Sequence, residues 1–148
     1  MIDGKIINGY GHPEVGHISV KRHPEDTYEG TCPFHKDCLE GVAAGPSLEK
    51  RYGVKGHELE PTHKAWEIEA YYLAQAIMNY TLVLSPEMII FGGGVMKQEQ
   101  LFPLMRESYK NQVNGYVATP ELEEYIVPCA LGDNAGITGC LLLAMEEV

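Results

Sequence analysis

One stretch limits the possible folds more than any other. Between 62 and 84, Trp66, Ala70, Leu73, Ile77, Tyr80 or Thr81, and Leu84 recur at steps of three and four, the period of a helix with one apolar side. Thr62 can cap its start, Pro61 precedes it and Pro86 follows it, as helix boundaries favour. At the usual rise the run spans about 30 Å, enough for a central helix. Directly after it, Met88-Ile89-Ile90-Phe91 shows no polar alternation, which predicts a strand over 87–91 covered on both faces. That strand enters Gly92-Gly93-Gly94; a second helix over about 98–113, a second strand over 125–128 and a last helix reaching about 145 follow. Helix, strand, glycine turn, helix, strand, helix predicts an α/β domain with a parallel pair joined by a right-handed crossover.

The first 62 residues differ in texture: they are rich in Gly, Pro and His, and their periodicity is weak. Residues 5–9 read as a short strand ending in an Asn8-Gly9 turn, and 15–20 as another strand with Gly16 inside it. A helix is expected within 37–52, interrupted at Gly41 and at Gly45-Pro46, with Pro46 suited to the first turn of a fresh helix.

A length of 148 residues is one domain's worth of chain, and 45% hydrophobic residues are enough to build a core, which excludes a disordered chain. The net charge is −10, and Lys21-Arg22 and Lys50-Arg51 are the only adjacent basic pairs. Such a surface repels phosphate backbones and anionic lipid, so neither nucleic acid nor a membrane is an expected partner. The longest apolar runs, 140–145 and 88–91, fall far short of the ~20 residues a membrane span needs. Charges at Asp3 and Lys5 stand where a signal peptide would be apolar, and a soluble, cytoplasmic chain is expected. Cys129 and Cys140 lie among apolar neighbours and read as small buried hydrophobes.

The sharpest chemical signal is Cys32-Pro33-Phe34-His35-Lys36-Asp37-Cys38, a Cys-x2-His-x2-Cys spacing. Thiolates and imidazole are zinc donors, and a structural zinc site takes four of them in a tetrahedron. The fourth must come from elsewhere: His17 stands upstream, with His12 and His23 as rivals. A second signal is Gly92-Gly93-Gly94-Val95, where a strand ends in bare backbone that can approach a ligand closely. Lys97 follows, but no Gly-Lys-Ser/Thr does, so this is not a Walker A loop. A third is Glu14-Val15-Gly16-His17, where a bulge at Gly16 could bring Glu14 and His17 together beside vicinal hydroxyls. Asp133-Asn134 reads as a helix N-cap rather than as a catalytic base.

Taken in order, these stretches resemble the ROK family of sugar kinases. They are His12-Pro13-Glu14-Val15-Gly16-His17, the 32–41 segment from Cys32 to Gly41, Gly45-Pro46-Ser47, Phe91-Gly92-Gly93-Gly94-Val95-Met96 and Gly132-Asp133-Asn134-Ala135-Gly136. The Cys-x2-His-x2-Cys form resembles the bacterial fructokinase branch of that family. The resemblance implies an α/β fold, the C-terminal lobe of an actin-like, ribonuclease-H-like kinase with an inserted zinc-binding loop. It implies a zinc-binding and sugar-contacting loop over 12–41 and a nucleotide-bordering strand–glycine–helix unit over 87–113. By position, His17, Cys32, His35 and Cys38 would hold a structural zinc. Glu14, His17 and Glu40 would contact the hexose, His17 serving both tasks with different atoms. Pro46 and Gly92, Gly93, Gly94, Val95, Met96 and Lys97 would border ATP.

The reaction implied is transfer of a phosphoryl group from Mg·ATP to a hexose, D-fructose at O6 first and glucose, mannose or an N-acetylhexosamine as alternatives. A homodimer, or pairing with a separate N-terminal half, is implied as well. The family's Asp-x-Gly-Gly-Thr phosphate loop, its mid-chain base Asp and its Gly-Thr-Gly motif have no counterpart in this chain. No catalytic residue is therefore assigned within it, and the chain alone is expected to be nearly inert. A base commonly supplies a rate factor on the order of 10²–10⁴. The absent lobe is expected to leave apolar surface open to self-association. The reading from another class is a zinc-stabilised module that binds a sugar or a partner chain without kinase activity.

Overall fold

The computed structural model describes residues 1–146, apart from the Glu146 side chain. Its long helix, here α3, runs Ala65–Leu84 and lies between two apolar clusters. Trp66, Ala70, Leu73 and Ile77 face one cluster with Leu48, Leu101, Met105, Tyr109, Tyr125 and Ile126. Ile68, Tyr72 and Ala76 face the other with Leu39 and Val42. A helix apolar on both sides is a central one, as the periodicity predicted. Its N-terminus differs from expectation: the helix starts after Lys64, and His63 Nδ1, not Thr62, accepts the Ala65 N–H at 3.1 Å. At its C-terminus Ser85 turns left-handed, and its N–H donates to Thr81 O.

Two short helices precede α3: α1 (Leu39–Ala43) and α2 (Gly45–Tyr52). The break predicted at Gly45-Pro46 is there, with Pro46 in the first turn of α2, where a missing N–H costs nothing. Ser47, fully buried, joins the two helices by donating to the carbonyls of Glu40 (3.1 Å) and Gly41 (2.9 Å).

After α3 come β1 (Ile89–Phe91), α4 (Leu101–Val113), α5 (Leu122–Tyr125), β2 (Ile126–Pro128) and α6 (Ala135–Glu146). The strands pair in parallel, Ile89 opposite Ile126 and Phe91 opposite Pro128. α4 lies against α3 through Leu101, Phe102, Met105 and Tyr109, and Arg106 donates to Ile126 O at 2.8 Å. The parallel pair is as predicted, but its expected cover on both faces is not found. Ile89 and Phe91 pack on the core, whereas Ile90 is 62% exposed.

Three further expectations fail. No strand forms at 5–9 or 15–20: Ile2 and Lys5 make one isolated bridge, and Val15–His17 is a single 3-10 turn. A strand needs a neighbour along its length, and among the described residues each of these segments makes a single isolated bridge, Lys5 with Ile2 and Ser19 with Cys38. Asp133 does not cap α6; it lies in a 3-10 turn, Gly132–Asn134, and its carboxylate binds Lys97 Nζ at 2.9 Å. Cys140 is exposed, beside the exposed Leu141, Leu142 and Leu143 of α6, and Cys129 is half-buried.

The irregular 15–38 segment is held on α3 by side chains. Gln75 clamps the Lys21 backbone at two points, accepting its N–H (2.7 Å) and donating to its carbonyl (2.9 Å). Tyr72 Oη accepts the His23 N–H (3.1 Å) and donates to Asp26 (2.7 Å). Ile18 and Val20 pack on the Leu39–Tyr72 cluster.

Candidate metal centre and ligand clefts

The 31–41 segment folds back on itself. Cys32 and Lys36 bridge each other, Lys36 adopts a left-handed conformation, and Thr31 N–H donates to Gly41 O at 2.8 Å. The approach is so close that a Cβ on Gly30 or Gly41 would stand about 2 Å from Lys36 O. Side chains are excluded there, which brings Cys32 and Cys38, the residue before α1, to one point.

His17 reaches that point from its 3-10 turn. Its Nδ1 lies 3.7 Å from Cys32 Sγ and 3.5 Å from Cys38 Sγ, and His35 Nδ1 lies 3.8 Å from Cys32 Sγ. One donor atom from each of His17, Cys32, His35 and Cys38 falls within 4.8 Å of the others. Zinc–sulfur and zinc–nitrogen bonds of about 2.3 and 2.05 Å at tetrahedral angles put sulfur and nitrogen about 3.6 Å apart. The donors are therefore spaced for a tetrahedral ion. Backbone N–H groups of His35 and Phe34 aimed at the sulfur bring the Cys32 thiol down to about 6, whereas burial pushes Cys38 up. The rivals are elsewhere: His12 Nε2 pairs with Glu14 at 2.7 Å, and His23 stands edge-on to Tyr71.

The other ring nitrogen of His17, Nε2, faces Glu40 Oε2 at 3.4 Å. Glu40 sits in the first turn of α1, two residues after Cys38. Glu14 does not join them through its side chain, which turns to His12; the bulge expected at Gly16 is a turn in which His17 N–H donates to Glu14 O. Of the three residues expected at the sugar, the structure brings His17 and Glu40 together and leaves Glu14 on the neighbouring turn.

The residues expected at the nucleotide divide between two clefts. Pro46, Gly94 and Val95 line one of about 440 Å³ with Trp66, Lys55 and Gly56. Gly92, Gly93, Gly94, Met96 and Lys97 line the other, about 380 Å³, opposite Cys129 and Asp133. Gly94 is common to both. Val95–Lys97 forms a 3-10 turn before α4 begins at Leu101, so the strand does not pass straight into a helix.

Sequence reasoning missed a buried polar cluster. Asp26 accepts from Arg51 Nη2 at 3.0 Å and lies 3.9 Å from Arg22 Nη2, and Arg51 also donates to Val42 O at 2.8 Å. One arginine from each adjacent basic pair thus turns inward. The pairs were visible; that residues 22, 26 and 51 converge was not. Glu69 on α3 is fully buried beside this cluster, and neither of its oxygens has a partner among the described residues.

An α/β chain that brings four His/Cys donor atoms within 4.8 Å of one another and carries two clefts lined in part by Gly92, Gly93 and Gly94 defines a class by its fold: one α/β lobe. The family is narrower and is shown directly. The chain belongs to the ROK family, whose model matches residues 1–147. It is 47% identical over 152 residues to a "Putative fructokinase" of Bacillus subtilis (strain 168), a match covering 100% of this chain and 51% of that protein. It is 46% identical over 148 residues to a "Fructokinase" of Streptococcus mutans, covering 97% and 50%. The fold is similar to that of a solved ROK hexokinase from Thermus thermophilus, with TM-score 0.75 and 24% identity over 98% of this chain and 53% of that one. The chain thus spans about half the length of the relatives it matches. Among the described residues, no helix is long and apolar enough to cross a membrane.

Proposed function

We propose that this chain is the C-terminal lobe of a sugar kinase that transfers a phosphoryl group from Mg·ATP to O6 of D-fructose. The relatives carrying the name fructokinase support the substrate. The observation that carries the reading is the double engagement of His17, with Nδ1 toward two sulfur atoms and Nε2 toward Glu40.

A zinc ion at His17, Cys32, His35 and Cys38 would have all four positions filled by protein, which suits a structural role and leaves none for an activated water. When bound it supplies cohesion: it fixes the His17 ring and the Cys38–Glu40 turn. His17 and Glu40, with Glu14 alongside, then present an imidazole edge and carboxylates to vicinal sugar hydroxyls on a wall set before the sugar arrives. Gly92 to Lys97 and Pro46 border the nucleotide, with bare backbone at Gly92–Gly94 permitting close approach and Lys97 held at that edge by Asp133.

The general base and the rest of the phosphate clamp belong to the other lobe. Phosphoryl transfer depends on positioning and on cancelling charge on the phosphate oxygens, so half a clamp performs little of it. The second reading is a zinc-stabilised module that binds a sugar or a partner chain without kinase activity. A panel of hexoses with Mg·ATP separates the two. This chain combined with the complementary half of the Bacillus subtilis relative should phosphorylate fructose, and metal analysis should return one zinc per chain. Fructose phosphorylation at ordinary turnover by this chain alone would overturn the division of labour. Sugar binding without transfer in the combined halves would favour the module.

A further inference from the structure

We propose that Tyr80 is a positioning residue: its hydroxyl, reaching from α3 to the carbonyl of Val15, holds the 15–17 turn where the His17 ring meets the Cys32 and Cys38 sulfur atoms on one side and Glu40 on the other. The inference deepens the proposed function. It rests on that reading for what His17 does, and not for where His17 stands.

In the sequence Tyr80 is one more apolar step of α3. The structure gives it a second task. Its ring packs, like Ile18 and Val20, on the Leu39–Tyr72 cluster. Its Oη donates to Val15 O at 2.7 Å, the usual length for a hydroxyl on a carbonyl.

The turn needs a hold on its upstream side. Downstream of His17 the backbone is tied twice to the start of α1: Leu39 N–H donates to Ile18 O at 2.9 Å, and Ser19 bridges Cys38. Upstream, residues 1–14 are exposed apart from the half-buried Ile7, and the Glu14 side chain turns to His12. A short 3-10 turn has poor hydrogen-bond geometry and little cohesion of its own. Here its own bond is His17 N–H to Glu14 O at 3.0 Å. The Tyr80 hydroxyl supplies the anchor that the preceding chain does not.

The tolerance at the ring is small. His17 Nδ1 stands 3.7 and 3.5 Å from the two sulfur atoms, and Nε2 stands 3.4 Å from Glu40 Oε2. The turn also abuts Glu40 through its backbone, since a Cβ on Gly16 would lie 3.5 Å from Glu40 Oε2. A shift of the turn therefore disturbs both engagements of His17 at once. An anchor in place before an ion or a sugar arrives removes an ordering cost that binding would otherwise bear.

Tyr80→Phe deletes the hydroxyl and keeps the ring. In the metal-free chain, amide exchange at His17 should quicken by about threefold to tenfold, the equivalent of one net hydrogen bond. Cobalt(II), titrated against a competing chelator and read from the visible absorption of its thiolate- and imidazole-bound form, should bind more weakly by a similar factor. Thr81→Val is the control. It breaks the neighbouring bond to Tyr125 Oη, 2.8 Å, which ties α3 to the other apolar cluster. It should lower the melting temperature and leave cobalt affinity and His17 exchange as in the unaltered chain. An unchanged His17 amide in Tyr80→Phe overturns the proposal. So does an equal loss of cobalt affinity in Thr81→Val, which would make Tyr80 one more prop of α3. A chain that takes up no cobalt refutes the metal reading of the four donors, and the exchange at His17 then decides this proposal by itself.

Discussion

Replacing Glu69 with glutamine should make the protein more stable, and the gain should grow with pH. Glu69 has no exposed surface, and neither carboxylate oxygen has a hydrogen-bond partner among the described residues. Burial raises its pKa from 4.5 to about 8; Arg51 on α2 pulls it down and Asp26 pushes it further up. Tyr52 on α2 and Tyr72 on α3, both raised by burial, and Arg22 also stand around this cluster. A carboxyl raised on folding stabilises fully below its unfolded value and loses that contribution as pH climbs to its folded value. From 4.5 to pH 7 is 2.5 units of a possible 3.5, so about 3 kcal/mol of stability is lost by neutrality. Glutamine cannot ionise and escapes the loss. Urea unfolding of both proteins at pH 5, 6, 7 and 8 should show the variant's advantage rising by roughly 1 kcal/mol per unit. Metal-linked pH effects are shared by the two proteins and cancel in the difference. An advantage that stays constant with pH would refute the argument and mean that Glu69 is ionised against Arg51 throughout.

Gly41→Ala places a methyl about 2 Å from Lys36 O; a backbone clash of this kind should cost on the order of 3 kcal/mol, read as a fall in the urea midpoint and in zinc content together. Cys38→Ser should abolish stoichiometric zinc by metal analysis, whereas Cys140→Ser, at an exposed position, should keep zinc and change stability by less than about 0.5 kcal/mol. Glu40→Gln should weaken fructose binding by calorimetry in the combined halves at unchanged melting temperature; a fall in melting temperature with binding intact would make Glu40 structural.

What the sequence revealed follows from what each feature depends on. α3, β1, α4 and β2 carry their own periods, so they were legible. The clustering of Cys32, His35 and Cys38 was legible because their spacing is local, and His17 was one of three candidates until the turn at Val15–His17 set its ring beside the two sulfur atoms. Strands expected at 5–9 and 15–20 failed because pairing is a property of two segments, and the local pattern speaks for one. The cover expected over Ile90 and Cys140 failed for a related reason: an apolar residue signals burial only where a partner segment meets it, and among the described residues none covers these two. Glu69 was invisible because an acid inside an apolar helix period looks like an acid on its rim.

The same dependence explains why Glu40 stands where it does. Cys38, a metal-type donor, directly precedes α1, so whatever fixes its sulfur also fixes the first turn of the helix, where Glu40 lies. The carbonyls of α1 are fixed separately, by Ser47 donating to those of Glu40 and Gly41 and by Arg51 donating to that of Val42. Upstream, Gln75 and Tyr72 hold the strand of chain that leads from His17 to Asp26. Glu40 and His17 thus meet at 3.4 Å, with α1 held through α2 and the chain beyond His17 held through α3, by contacts that do not involve the four candidate donors. If zinc is held at this cluster as proposed, its removal should loosen the His17 ring and the Cys38 turn while α3 and its clamps remain, so the loss is one of alignment between imidazole and carboxylate before it is one of fold.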